Sequence, residues 1–161
     1  MPAIDIGNAP FAGQGDDGGS TYIVLGNPAN ASGFINTVKI QVNQSTTTLK
    51  IGIFYLVSGT TYKCRSAVNI GAVTGSGTHT ITGLNLAVQT GDFIGAYWSN
   101  GSITITESGV SGCRYAIADA VAVDDSRTYS LLATRDHAIY GESASPPAGG
   151  SPVQAIMAGV I

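Results

Sequence analysis

The chain has 161 residues, 43% hydrophobic but only 11% charged, against about a quarter charged in an ordinary soluble domain. That length fits one domain with a sizeable core, and the hydrophobic share excludes a disordered chain. The net charge is −3 and the 7 basic residues form no run, which argues against nucleic acid, since phosphate binding needs clustered cations.

The polar content is neutral instead: 22 Gly, 16 Thr and 15 Ser. Thr and the β-branched aliphatics favour strands, and Gly supplies turns. No apolar stretch approaches the ~20 residues of a membrane-spanning helix. Met1-Pro2-Ala3-Ile4-Asp5 lacks a basic segment followed by an apolar run, so no secretory signal is expected there.

In chain order, Gly13 to Gly19 reads as a flexible Gly/Asp loop. It matches the dinucleotide fingerprint GxGxxG in letters only, because that motif needs a preceding strand and a following helix. Val38, Ile40 and Val42 alternate with Thr37, Lys39 and Gln41, the period of a half-buried strand. Ile51 to Val57 is apolar on both faces and predicts a central strand. Ser58-Gly59-Thr60-Thr61 turns the chain, and Tyr62 to Ile70 returns as the second arm of a hairpin. Gly71 to Gly77 reads as loop, and Ile81, Leu84, Leu86 and Val88 mark another extended stretch.

Gln89-Thr90-Gly91-Asp92 is a turn before a strand over Phe93 to Trp98. Asn100-Gly101 carries a hairpin signal, with Ile103 and Ile105 alternating beyond it. Ala116 to Val123 fits a short helix or a strand and loop. Tyr129 to Thr134 and Ala138 to Tyr140 are two further short strands.

Roughly nine strands with turn signals every 8–12 residues predict an all-β, antiparallel β-sandwich, jelly-roll-like, over residues 1–141. Residues 142–152 have the Pro/Gly/Ser composition of a linker. Residues 153–161 form an apolar, uncharged C-terminal arm, with Val153, Ile156, Met157, Val160 and Ile161 as its anchors. Docked on another subunit, such an arm gains main-chain pairing as well as apolar burial; the other reading is a last strand folded onto its own domain.

No nucleophile elbow, zinc-protease motif or P-loop occurs. Asp136 and His137 are neighbours on a strand, where side chains point to opposite faces, so they do not form an Asp–His pair. Asp16-Asp17 and Asp124-Asp125 are the carboxylate pairs that would suit calcium; they read as turn residues, and no metal or cofactor is assigned. Tyr97, Trp98 and Tyr115 are candidates for stacking on sugars, with core packing as the alternative. Cys64 and Cys113 leave two readings: free thiols, or one disulfide at an edge of the sandwich.

Four segments resemble an uncharacterised group of small β-sandwich proteins from tailed-phage and environmental sequences. They are Asn27-Pro28-Ala29-Asn30, Ile53-Phe54-Tyr55-Leu56-Val57-Ser58-Gly59, Thr90 to Tyr97, and Ala138-Ile139-Tyr140-Gly141. The resemblance implies a phage or extracellular particle context; it carries over no activity and no catalytic residues, and implies nothing about mechanism. That group is richer in aromatics around Gly112-Cys113-Arg114-Tyr115, where only Tyr115 remains here.

The expectation is therefore a non-enzymatic structural protein of a virion or extracellular assembly, for example a capsid decoration protein. It would associate as a homo-oligomer through sheet edges and the C-terminal arm. The alternative is a carbohydrate-binding adhesion module, calcium-dependent or not.

Overall fold

In the computed structural model, residues 3–108 and 110–143 are described, and they contain strands and turns but no helix. The strands are β1 (Asp5–Gly7), β2 (Gln14–Asp17), β3 (Thr21–Val24), β4 (Gly33–Ile35), β5 (Thr37–Gln44), β6 (Thr46–Ser58), β7 (Thr61–Val73) and β8 (Gly77–Ile81). They continue with β9 (Leu86–Val88), β10 (Phe93–Ser99), β11 (Ser102–Thr106), β12 (Cys113–Ala116), β13 (Ser126–Thr128), β14 (Ser130–Leu132), β15 (Asp136–His137) and β16 (Ile139–Glu142).

Two seven-stranded antiparallel sheets face each other as a sandwich. The first runs β1-β16-β5-β11-β15, with β8 also on β5 and β2 also on β11; the second runs β13-β7-β6-β10-β3-β12-β14. A β4-β9 ribbon adds Ile35, Leu86 and Val88 to the core. The chain crosses between sheets directly after β2, β5, β7, β10, β11 and β14, and by way of the ribbon strands β4 and β9 after β3 and β8, the alternation that makes the fold jelly-roll-like.

The alternation of β5 buries Val38, Ile40 and Val42 against Leu49, Ile51 and Ile53 of β6 and Ile94, Ala96 and Trp98 of β10. The second sheet is covered on its outer face too. There the 117–125 segment lays Ala120 and Val121 over Ile23, Phe54, Cys64 and Tyr129. Thr21 pins that segment: its hydroxyl donates to Ala118 O (2.7 Å) and accepts from Ala120 N (2.9 Å). This cover is why β6 is apolar on both faces, as a central strand should be. Ala116 to Val123 is thus the end of β12 followed by a covering loop.

Three sequence expectations are corrected. Gly13 to Gly19 is not a free loop: Gln14–Asp17 pairs with Ser102–Ile105. Its glycines permit close approach, since a Cβ on Gly13 would lie 2.1 Å from Ile105 O. The Asn100-Gly101 turn has the positive φ values of its type (52° and 68°). It joins no hairpin, however, because both edges of β10 are taken by β3 and β6, and β11 continues in the other sheet. Finally, Thr21–Val24, unassigned in the sequence, is a fully buried strand between β10 and β12.

The linker boundary also moves. β16 extends through Glu142, and Ser143 exchanges hydrogen bonds with Ile4 (2.8 and 2.9 Å). The rest of the linker and the arm residues Val153, Ile156, Met157, Val160 and Ile161 lie outside the described residues.

Candidate functional site

The densest group of ionisable side chains gathers across β11, which pairs with both β2 and β15. His137 Nε2 donates to Asp16 Oδ2 at 2.7 Å, and Arg135 Nη1 donates to Asp16 Oδ1 at 3.0 Å. Arg135 also reaches Glu107 at 3.6 Å. Tyr22 lies against His137, ring centres 4.3 Å apart, and Trp98 meets the imidazole edge-on at 5.6 Å. The Trp98 indole N–H donates to Asp16 O at 3.2 Å.

His137 is fully buried. Burial disfavours its charged form and holds its pKa below the ordinary 6.5, against the pull of Asp16. For Asp16, burial acts upward, but the hydrogen bond and charge of His137, with Arg135, outweigh it and keep the carboxyl ionised below 3.8. His137 Nδ1 has no hydrogen-bond partner among the described residues, so the Asp–His pair does not extend to a hydroxyl or thiol as a nucleophilic triad would. The group ties β2 to β15.

The sequence separated Asp136 from His137 correctly. Asp136 turns the other way and accepts the N–H groups of Ser111 and Gly112 at 2.8–3.1 Å. The partner missed in the sequence is Asp16, 121 residues away. Nothing local in the sequence signals it, because the contact exists only once β11 has gathered β2 and β15.

A cleft of about 340 Å³ opens beside β1 and β16, lined by Ile4, Asp5, Asn30, Tyr140, Glu142 and Ser143. Its polar groups are largely engaged by the chain itself. Asn30 Oδ1 accepts Asp5 N–H at 2.9 Å, and Glu142 pairs with Lys39 at 3.1 Å. The Tyr140 hydroxyl is made less acidic by burial and by Asp5 and Glu142.

The sugar-stacking candidates are placed as follows. Trp98 is 0% exposed and stacks on Tyr22 at 5.3 Å, so of its two readings it takes core packing: the alternation of β10 turns it inward. Tyr97 faces the other way and packs half-buried against the second hydrophobic cluster; Tyr115 packs against the first. The structure does not bring the three together on one exposed face.

Cys64 and Cys113 are buried free thiols, and the disulfide reading is corrected. Cys64 lies on β7 and Cys113 on β12, with β6, β10 and β3 between them. Four strand spacings put them ~19 Å apart, whereas a disulfide spans Cα atoms about 4.4–6.8 Å apart.

Three of the four paired carboxylates are already matched by cations, Asp16 by Arg135 and the other two by Arg127 and Lys63. Arg127 Nε and Nη2 donate to the two carboxylate oxygens of Asp125 (2.7 and 2.5 Å), and Lys63 stands 3.6 Å from Asp124. Among the described residues no three His, Cys, Asp or Glu side chains converge as a metal site would require.

What faces outward is apolar or neutral at several places. Ile117 is 82% exposed and Leu131 on the marginal strand β14 is 52% exposed, and Phe34, Leu56, Val57 and Val123 are also exposed. No helix is long and apolar enough to cross a membrane among the described residues. Compared with known proteins, the chain matches no family model, no curated sequence and no solved structure.

Proposed function

We propose that the protein is a non-enzymatic structural component of a virion or other extracellular assembly, a decoration, surface or tail element that associates with itself. The observation that carries this reading is the disposition of side chains. The densest cluster of ionisable and aromatic groups, Asp16, Arg135, His137, Tyr22 and Trp98, is engaged within itself. The outside has few charges, open strand margins and scattered exposed apolar side chains. Such a surface meets a neighbouring subunit with little charge to desolvate, and pairing hides the margins from non-specific aggregation.

The particle context is what the resemblance of Ile53–Gly59 and Thr90–Tyr97 to phage and environmental sandwiches suggests, and residues 153–161 would act as the assembly arm. The carbohydrate-binding alternative is left without Trp98, its best stacking residue, and no observation favours it. Sedimentation or light scattering of the purified chain over a concentration series tests the proposal. Association is expected to rise with concentration; a strictly monomeric protein that also binds no particle overturns it.

A further inference from the structure

We propose that β8 is a homotypic edge: two copies of this chain pair their β8 strands antiparallel about a two-fold axis through His79. The inference rests on the self-association reading above and names its contact.

The register determines which groups β8 offers. It pairs with β5 from Val38↔Ile81 to Val42↔Gly77. Gln41 sends its N–H to Ala138 O, on the opposite side of β5. In an antiparallel ladder, residues facing each other turn their main-chain groups together toward or away from the pair. Thr78 and Thr80, opposite Gln41 and Lys39, therefore point N–H and C=O away from β5, while Gly77, His79 and Ile81 bond to it. No described strand pairs with that outer margin.

Natural sheets protect such margins with shortness, charge, proline or bulges. The others here follow that rule, and so does β7 beyond its Thr61–Lys63 pairing with β13, where the Arg65–Val73 margin carries a charge and register shifts against β6. β1, β13 and β14 have 3 residues each and β15 has 2. β2 has 4 residues and carries Asp16 and Asp17. β8 is longer, at 5 residues, and has no charge, no proline and no register shift against β5. From Ser66 to Gly91 the chain carries no Asp, Glu, Lys or Arg, so two copies meet here without like charges.

The segment is also complementary to itself. With His79 opposite His79 of the second copy, Thr78 falls opposite Thr80 and exchanges both main-chain hydrogen bonds with it, twice by symmetry. Thr–Thr is a favourable cross-strand pair, and both threonines are exposed. The result continues the first sheet of one copy into that of the other. Two short strands bury less than the ~1,200 Å² of a standard interface. The pairing is therefore weak alone and effective where many copies are held close together.

Two measurements on the full chain test it. In sedimentation, the exposed-site double variant Thr78→Lys/Thr80→Lys should keep the wild-type melting temperature and weaken association at least tenfold, because like charges then face each other. Under mild oxidation His79→Cys should form a linked dimer, since its Cα lies about 4.5 Å from its counterpart. Thr78→Cys alone should not link, whereas a mixture of Thr78→Cys with Thr80→Cys should. Buried Cys64 and Cys113 do not contribute. A wild type that associates while His79→Cys stays unlinked and the lysine variant associates equally well overturns the β8 pairing and leaves self-association standing. A wild type that stays monomeric overturns both.

Discussion

Gly52 and Gly95 stand opposite each other on β6 and β10, and the Phe54 ring lies over both. A Cβ on Gly95 would sit 2.5 Å from Tyr22 O and 2.8 Å from Phe54 Cε1. The first contact is with backbone and cannot rotate away. Gly95→Ala is expected to destabilise by about 1–3 kcal/mol, the usual cost of overpacking. A urea midpoint unchanged from wild type would show that the ring does not occupy that place. The cysteines give a second test at this scale. Burial pushes both thiols up to about 12, with Asp125 adding to the effect at Cys64. Because the thiolate is the reactive form, neither should label in the folded protein and both should label in denaturant without reductant. Fewer than two thiols in denaturant would mean a bond that this strand order forbids.

At the scale of elements, β2 is held to β15 through Asp16 and His137, and that contact makes stability depend on pH. His137 has a folded pKa below 6.5, so on acidification the unfolded chain takes up a proton before the folded one does. Its contribution is complete above about pH 6.5 and is lost as pH falls through the folded value. Asp16, held below 3.8, contributes above that value and is lost at still lower pH. Below about pH 6.5 the stability should therefore fall on acidification, by at most about 1.4 kcal/mol per pH unit from this one group. His137→Asn should lower stability at pH 7.5 and flatten that slope. Urea titrations at a series of pH values read both; an equal slope in the variant would place the titrating group elsewhere. Alternation made β5 legible in the sequence, and the two-sided apolar run did the same for β6. β2 was not legible, because its Gly and Asp residues carry loop propensity and are held in the sheet by β11 and Arg135.

For the molecule as a whole, the order of strands decides which edges are open and where the tail leaves. Ser143 is still bonded to Ile4, so a cut after it leaves the described sandwich complete. Deleting residues 144–161 is expected to keep the melting temperature within the ~2–4 °C that 1 kcal/mol represents for this size, and to reduce self-association. Calorimetry and light scattering on the truncated chain check the two halves. A large drop in melting temperature with association intact would make the tail a core strand of its own domain and end its role as an arm.

Local patterning was enough to read the all-β class, the β6–β7 hairpin, the alternation of β5 and the burial of its apolar face. These follow from period and turn chemistry, which act within a few residues. What only the tertiary structure decided is pairing at a distance. The Asn100-Gly101 turn reverses the chain in either case, but whether β11 joins β10 depends on β3 and β6 having filled both its edges. Trp98 reads the same in sequence whether its face is core or solvent, and the opposing sheet settles it. Cys64 and Cys113 are equivalent as letters, and three intervening strands keep them apart. Asp16 finds His137 only because β11 gathers β2 and β15. Each is a long-range contact set by strand order, and strand order is a property of the whole chain.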